Sequence, residues 1–345
     1  MMTSGEKLET PAVFIAPSCT WLGRGALASL ATGLVSAGAA TLGPVLIAAD
    51  TALATGNLLD DALKELTTAG YEPVVLSDFG PELTAEQVDA AATSARERSV
   101  VAVVGIGGGS VLDAAKMIAL LVTNEGHCAD WFGVIEPTVA PPPLVLVPTT
   151  IGTGAEVTRI SMITDGGEKR ITSSRAFVPQ LVVLDQNLVA SLPAHVKAST
   201  GLDALAHAAE SILSLNSSPI TEHNATEAIK IVMSQLPNAY DGDSEATGSM
   251  LFAAYLAGLA LNSGVVLGHS LGYAINHEKP MAHGTTTGLA LAYTIAYNQH
   301  VDPRRARLLA RAVTLGESDD LRVAAEHVLD LVRRVGQPDT LDAAG

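Results

Sequence analysis

Val100-Val101-Ala102-Val103-Val104-Gly105-Ile106-Gly107-Gly108-Gly109-Ser110, followed by Val111-Leu112-Asp113-Ala114-Ala115-Lys116, is the stretch on which the reading of the fold turns. A β-branched run free of polar residues reads as a strand buried on both faces, as a parallel sheet covered by helices requires. It empties into glycines, which let a ligand or another backbone approach closely. A helix follows, and the unpaired N–H groups of its first turn suit a phosphate. A tight strand-to-helix connection with no ligand would carry the same residues, so the turn by itself leaves both readings open. Gly105-Ile106-Gly107 matches the opening of the dinucleotide-binding fingerprint, but Ser110 stands at the third glycine position and the turn does not follow the first strand.

Working outward, Pro44–Ala49, Pro73–Leu76, Leu144–Val147 and Leu181–Leu184 also read as strands, and Val100–Gly105 joins them. Between them lie helical patterns over Leu53–Ala69, Thr84–Arg98 and Val111–Val122. This βαβ alternation predicts an α/β domain on a mostly parallel sheet. Pro141-Pro142-Pro143 runs straight into an apolar segment and reads as the lead-in to a strand rather than a linker. After Leu192 the period becomes helical through Ser199–Leu215, Ile220–Leu236, Glu245–Asn262 and His283–Tyr297, which predicts an all-α second domain. The boundary falls between Asp185 and Pro193, giving expected domains of residues 1–187 and 188–345.

A chain of 345 residues, 48% of them hydrophobic, can bury a core of that size. No stretch reaches the ~20 uninterrupted apolar residues of a membrane span. Met1 to Thr10 lacks the apolar core of a secretion signal, so a cytoplasmic protein is expected. With 36 acidic and 20 basic residues, net charge −16, nucleic acid and anionic membranes are excluded as partners. Arg304, Arg305, Arg307 and Arg311 read as a solvated helix face, and the two cysteines, Cys19 and Cys128, as ordinary reduced thiols.

Three groups carry chemistry in the first half. The glycine turn, Gly107, Gly108, Gly109 and Ser110 with Asp113 behind it, is the candidate pyrophosphate site. In Pro148-Thr149-Thr150-Ile151-Gly152-Thr153-Gly154-Ala155-Glu156, the hydroxyls of Thr149, Thr150 and Thr153 either donate to phosphate, ribose or a nicotinamide carboxamide, or cap their own turn. Asp50 ends its strand, where a carboxylate either accepts both hydroxyls of an adenine ribose, favouring NAD over NADP, or caps the following helix. Two such loops on one parallel sheet favour a ligand, since ligands collect at the carboxyl ends of the strands.

In the second half, Gly201-Leu202-Asp203-Ala204-Leu205-Ala206-His207 puts a carboxylate and an imidazole at i and i+4, on one helix face and close enough to share an ion, although a capping Asp with a later His would look alike. His269 in Gly268-His269-Ser270-Leu271-Gly272-Tyr273 and His283 in Met281-Ala282-His283-Gly284 sit among apolar residues and glycine, where imidazoles need partners. One acid and three imidazoles suit Zn²⁺ or Fe²⁺. His277 lies between the two segments, as a ligand, a proton shuttle or neither; His127, His195, His223, His300 and His327 read as surface or structural.

In this order the motifs resemble the iron-containing (group III) alcohol dehydrogenase family, on the superfold of dehydroquinate synthase, from Leu22-Gly23-Arg24-Gly25 to Leu341. The resemblance implies a dinucleotide-binding α/β domain, a helical metal domain with the site in the cleft, and Asp203, His207, His269 and His283 as ligands of Fe²⁺ or Zn²⁺. It further implies a homodimer, and hydride transfer between NAD(H) and a small alcohol or carbonyl substrate, with the ion as Lewis acid. One position departs from the family pattern. Where many members carry a histidine four residues after the third ligand, this chain has Tyr273, which with His277 is the candidate for carrying the proton outward; a phenol is a poor base at neutral pH. The pocket candidates are Trp131, Phe132, Arg159 and Tyr273. The alternatives are an NAD- and Zn-dependent cyclase, whose polyanionic substrate would need bases such as Lys169, Arg170 and Arg175, and a non-catalytic relative.

Overall fold

The computed structural model describes residues 13–80 and 82–345; the reading of Met1 to Thr10 lies outside them. The strands are β1 (Cys19–Leu22), β2 (Pro44–Ala49), β3 (Glu72–Leu76), β4 (Ala102–Gly107), β5 (Gly133–Val134), β6 (Leu144–Pro148), β7 (Ile160–Asp165), β8 (Glu168–Ser173) and β9 (Leu181–Leu184). The helices of the first half are α1 (Leu30–Ser36), α2 (Thr51–Ala54), α3 (Asp60–Thr68), α4 (Ala85–Glu97) and α5 (Gly109–Thr123). Those of the second are α6 (Ala194–Leu213), α7 (Pro219–Tyr240), α8 (Ser244–Leu261), α9 (Leu267–Glu278), α10 (His283–Tyr297), α11 (Pro303–Val313), α12 (Leu321–Arg334) and α13 (Leu341–Ala344).

Six strands form one sheet in the order β1-β9-β6-β4-β2-β3, every pair parallel. β4, β6 and β9 are buried along their whole length, which is why their sequences are apolar without alternation. Leu46, Val103 and Leu146 pack on one face of the sheet under α4 and α5; Ile47, Val104 and Val147 pack on the other under α1 and α3. Each such side chain contributes about 1.5–3 kcal/mol by leaving water. Following β2 the chain moves outward to β3; following β4 it moves the other way to β6. The strand order therefore reverses between β2 and β4, and sheets of this kind bind ligands at the carboxyl ends of the strands beside such a reversal.

The helical half is built around α6, whose residues from Lys197 to Leu213 are almost all buried. Alanines at 198, 204, 206, 208 and 209 favour the helix and let α7, α8 and α10 pack closely on it. No helix among the described residues is long and apolar enough to cross a membrane.

Several elements differ from the sequence reading. The single helix expected over Leu53–Ala69 is two: α2 stops after Ala54 and α3 starts at Asp60, because Thr55-Gly56-Asn57 favours a turn. β7 and β8 form an antiparallel hairpin turned on Gly166 and Gly167, both at positive φ (57° and 82°). β1, α1, α9 and α12 have no counterpart in the sequence reading, whereas α11 carries the arginines read as a helix face. The arginine face is only partly solvated: Arg304 grips Glu222 of α7 with two hydrogen bonds of 2.7 Å, and Arg305 donates to the Ser214 carbonyl at 2.8 Å.

Candidate active site

Sheet register assembles the first half of the site. Ala49 pairs with Ile106 and Gly107 with Pro148, so Asp50, the glycine turn and Thr149 emerge side by side. Asp50 makes no cap for α2. Its Oδ2 instead accepts the Gly108 N–H at 3.1 Å and the Thr149 hydroxyl at 3.3 Å. Burial pushes this carboxyl above its ordinary value, against the pull of those two hydrogen bonds. A Cβ on Gly107 would lie 2.6 Å from the Val111 Cβ and 2.9 Å from Asp50 Oδ2, so only glycine lets α5 start this close to the strand. Gly108 gives α5 no side-chain cap, which leaves its first N–H groups suited to an anion. Ser110 is the second residue of that helix.

The other candidates of this half divide. The Thr153 hydroxyl accepts the Ala155 N–H at 3.3 Å, the turn-capping arrangement, while the Thr150 hydroxyl is buried with no hydrogen-bond partner. Asp113 is buried, holding the Lys116 ammonium at 3.3 Å and the Met162 N–H at 3.0 Å; Lys116 also donates to the Ile160 carbonyl at 2.6 Å. Together they brace the β7–β8 hairpin against α5.

The second half of the site forms on three helices. Asp203 and His207 share a face of α6, His269 lies in the first turn of α9, and His283 begins α10. The Nε2 atoms of His207, His269 and His283 stand 3.9, 4.0 and 3.7 Å from a single oxygen, Asp203 Oδ1. A tetrahedral ion with Zn–N and Zn–O bonds of about 2.0–2.2 Å would space its ligands about 3.3–3.6 Å apart, so the donors stand close to ligand spacing. Asp203, His207 and His269 offer ligand atoms all within 4.8 Å of one another, and His283 is the most open member, its side chain 38% exposed. His269 Nε2 is buried with no hydrogen-bond partner. An orphaned acceptor beside a carboxylate and two further imidazoles is what a divalent cation would satisfy.

The shifts of Asp203, His207 and His283 favour an ion, and that of His269 runs the other way. Burial would raise Asp203, but His207, His283 and His269 with the Thr287 hydroxyl at 3.2 Å hold it below its ordinary value. Burial pushes His207 down to about 4, overcoming the pull of Asp203, and lowers His283 as well, so both present neutral rings with a free lone pair at neutral pH. Burial also opposes charge on His269, but its hydrogen bond to Glu210 outweighs that and raises it. The His207 Nδ1 faces the Gly152 carbonyl at 3.4 Å, which ties the loop after β6 to the histidine cluster.

Tyr273 stacks on His283 with ring centroids 5.1 Å apart and is 43% exposed. Burial of its hydroxyl, then the charges of Asp203 and Asp113, push it up to about 12, so it stays protonated at neutral pH. His277 is exposed one turn further along α9. Trp131 and Phe132 are half-buried against the strand-bearing half, and Arg159 is exposed. Of the bases a polyanion would need, Arg170 pairs with Glu168 at 2.8 Å and Arg175 with Glu136 at 3.8 Å. His127, His195, His223 and His300 are exposed. Sequence reasoning missed Glu210, although its spacing of seven from Asp203 and three from His207 puts it on the same helix face.

A glycine turn where a parallel sheet reverses its strand order, together with a cluster of one carboxylate and three imidazoles, fits a metal- and nucleotide-dependent oxidoreductase. The pattern described as iron-containing alcohol dehydrogenase matches residues 17–186, and that of the C-terminal part of the Fe-containing alcohol dehydrogenase family matches residues 197–345. Long-chain-alcohol dehydrogenase 1 of Geobacillus thermodenitrificans is 32% identical over 95% of this chain and 85% of its own. The alcohol dehydrogenase of Oenococcus oeni superposes with a TM-score of 0.90 at 26% identity, covering 97% of this chain and 90% of its own. Sulfoacetaldehyde reductase of Bifidobacterium kashiwanohense, solved with NAD⁺, gives 0.87 at 27% identity, covering 96% and 88%. The chain belongs to the iron-containing alcohol dehydrogenase family, and its activity is that of an NAD-dependent alcohol dehydrogenase.

Proposed function

We propose that this protein interconverts a small alcohol and its aldehyde or ketone, using NAD(H) and a divalent ion, Fe²⁺ or Zn²⁺, held by Asp203, His207, His269 and His283. The observation that carries this reading is the convergence of three imidazoles on one oxygen of Asp203, with His269 Nε2 buried and unpartnered. The ion, when bound, supplies Lewis acidity toward the substrate oxygen. In the oxidative direction the alcohol carbon loses a hydride to NAD⁺ and its oxygen loses a proton, giving carbonyl, NADH and H⁺. The α5 N-terminus with Gly107, Gly108, Gly109 and Ser110 holds the pyrophosphate. Thr149 steadies Asp50, whose carboxylate accepts the adenine ribose hydroxyls and repels a 2′-phosphate, selecting NAD over NADP. Thr150, with its hydroxyl unpartnered, is the better placed of the remaining threonines to meet the cofactor; Thr153 supports the site by capping its turn and Asp113 by bracing β7 against α5.

The proton leaves along α9, where Tyr273 and His277 are one turn apart on the stripe that begins at His269. Tyr273 stays protonated and so relays by donating and accepting together rather than acting as a base. The division at residues 187 and 188, a homodimer and a cytoplasmic setting belong to the same reading, and sedimentation of the purified chain tests the dimer. The decisive experiment follows NADH absorbance over a panel of small alcohols and aldehydes, with and without added Fe²⁺ or Zn²⁺. Net NADH that disappears on chelation and in Asp203→Ala supports the proposal; activity surviving both overturns it, and no net NADH with any substrate returns the cyclase and non-catalytic readings.

A further inference from the structure

We propose that Glu210 is the positioning residue of the metal centre: one carboxylate fixes the orientation and tautomer of His269 and, in the same grip, anchors the start of α9 on α6. The inference rests on the metal reading above.

Glu210 is fully buried. Its Oε1 lies 3.1 Å from His269 Nδ1, and its Oε2 accepts the Val266 N–H at 2.5 Å. Val266 is the N-cap residue of α9 and offers no side-chain cap of its own, so the cap comes from another helix, with a negative charge at the end of α9 where its dipole favours one. An ionised carboxylate only accepts hydrogen bonds, so the ring nitrogen facing it carries the hydrogen. In the neutral ring Nε2 then keeps its lone pair, 4.0 Å from Asp203 Oδ1 and matched by no donor in the protein. The placement requires glycine at 268: a Cβ there, between Val266 and His269, would sit 2.2 Å from Glu210 Oε1. Glu210 thus turns a helix end into a metal ligand. A carboxylate behind a ligating imidazole fixes its ring and raises its basicity, and losing such a partner costs roughly 10–100-fold in metal affinity.

A residue that merely capped α9 would affect stability alone, whereas this one sets a tautomer and an affinity. The test measures Co²⁺ and Zn²⁺ affinity of the full chain by competition with a chromophoric chelator for wild type, Glu210→Gln and Gly268→Ala, with far-UV circular dichroism as the check on folding. In parallel, long-range ¹H–¹⁵N spectra of the metal-free wild type report which nitrogen of His269 is protonated. Expected are a bound ion in wild type, a loss of about 10–100-fold in both folded variants, and the Nδ1–H tautomer. Affinity in folded Glu210→Gln equal to wild type, or an Nε2–H tautomer in wild type, overturns the proposal. If wild type binds no ion the metal reading fails instead, and the tautomer still decides the role of Glu210, as it does if the variants do not fold.

Discussion

Gly284→Ala is the sharpest single perturbation that the helical half offers. Gly284 follows His283 at the start of α10, where that helix crosses α6. A Cβ there would lie 2.0 Å from the Ser199 carbonyl oxygen, 2.7 Å from its carbon and 3.0 Å from the Asp203 Cβ. Backbone cannot rotate aside. The helices must therefore open by about 1.4 Å, the difference between 2.0 Å and the 3.4 Å at which ordinary contact begins. Since α6 is enclosed on nearly all sides, the movement falls on the first turn of α10 and carries His283 away from Asp203. Overpacking of this kind costs about 1–3 kcal/mol. A displacement of about 1 Å at a reacting centre costs on the order of 100-fold in rate. Thermal melting should therefore drop by several degrees, and ion affinity and NAD-linked turnover should fall together. Gly288→Ala is the milder comparison: the nearest atoms to its Cβ would be Leu202 Cβ and Cδ1, both at 2.9 Å, so the opening needed is about 0.5 Å. Stability should suffer there with ion binding retained. Unchanged melting and unchanged ion affinity in Gly284→Ala would refute the close crossing on which the site depends.

Three further outcomes are expected. Chelation should lower Tm and re-addition of Fe²⁺ or Zn²⁺ should restore it, by about 2.7 kcal/mol at a hundredfold excess over Kd; a melt indifferent to ion concentration would contradict the site. Asp50→Ser should relax discrimination against NADP by about 10–100-fold, the repulsion between a carboxylate and a nearby phosphate at a half-buried position being worth ~1–3 kcal/mol; steady-state kinetics with both cofactors decide this. Glu156 is fully buried with neither carboxylate oxygen partnered, and burial pushes it from 4.5 up to about 7. The folded state therefore holds this proton where the unfolded chain has lost it, and stability declines as pH rises from 4.5 to 7, by about 3 kcal/mol in all. Glu156→Gln removes that titration, so its Tm relative to wild type should improve between pH 5 and pH 8, and a pH-independent difference would count against it.

The central strands were legible because burial on both faces writes itself as apolar runs, and the turn at Gly107–Gly109 and the Asp203–His207 pair were legible from local spacing alone. The hairpin was not, since Glu168-Lys169-Arg170 is polar and carries no core signal; only Gly166-Gly167 betrays it. The start of α9 misleads in the other direction, because Val265-Val266-Leu267 favours a strand and Gly268 and Gly272 disfavour a helix. That helix is held by tertiary contacts, with Glu210 at its start, which no local pattern expresses. The break at Gly56 and the capping use of Thr153 show the same limit: propensity names the residue types, but neighbours distant in sequence decide which bond each side chain makes.

The contact between the Gly152 carbonyl and His207 Nδ1 joins two binding events into one thermodynamic system. Under the proposed function Gly152 lies in a loop that meets the dinucleotide and His207 holds the ion, so a dinucleotide that shifts the loop does work on the imidazole. Reciprocity then leaves no freedom: whatever factor the ion adds to dinucleotide affinity, the dinucleotide adds to ion affinity. Two titrations, each repeated with the other ligand present, must close the same cycle, and the retention of the ion during turnover becomes a property of the cofactor as much as of the histidines.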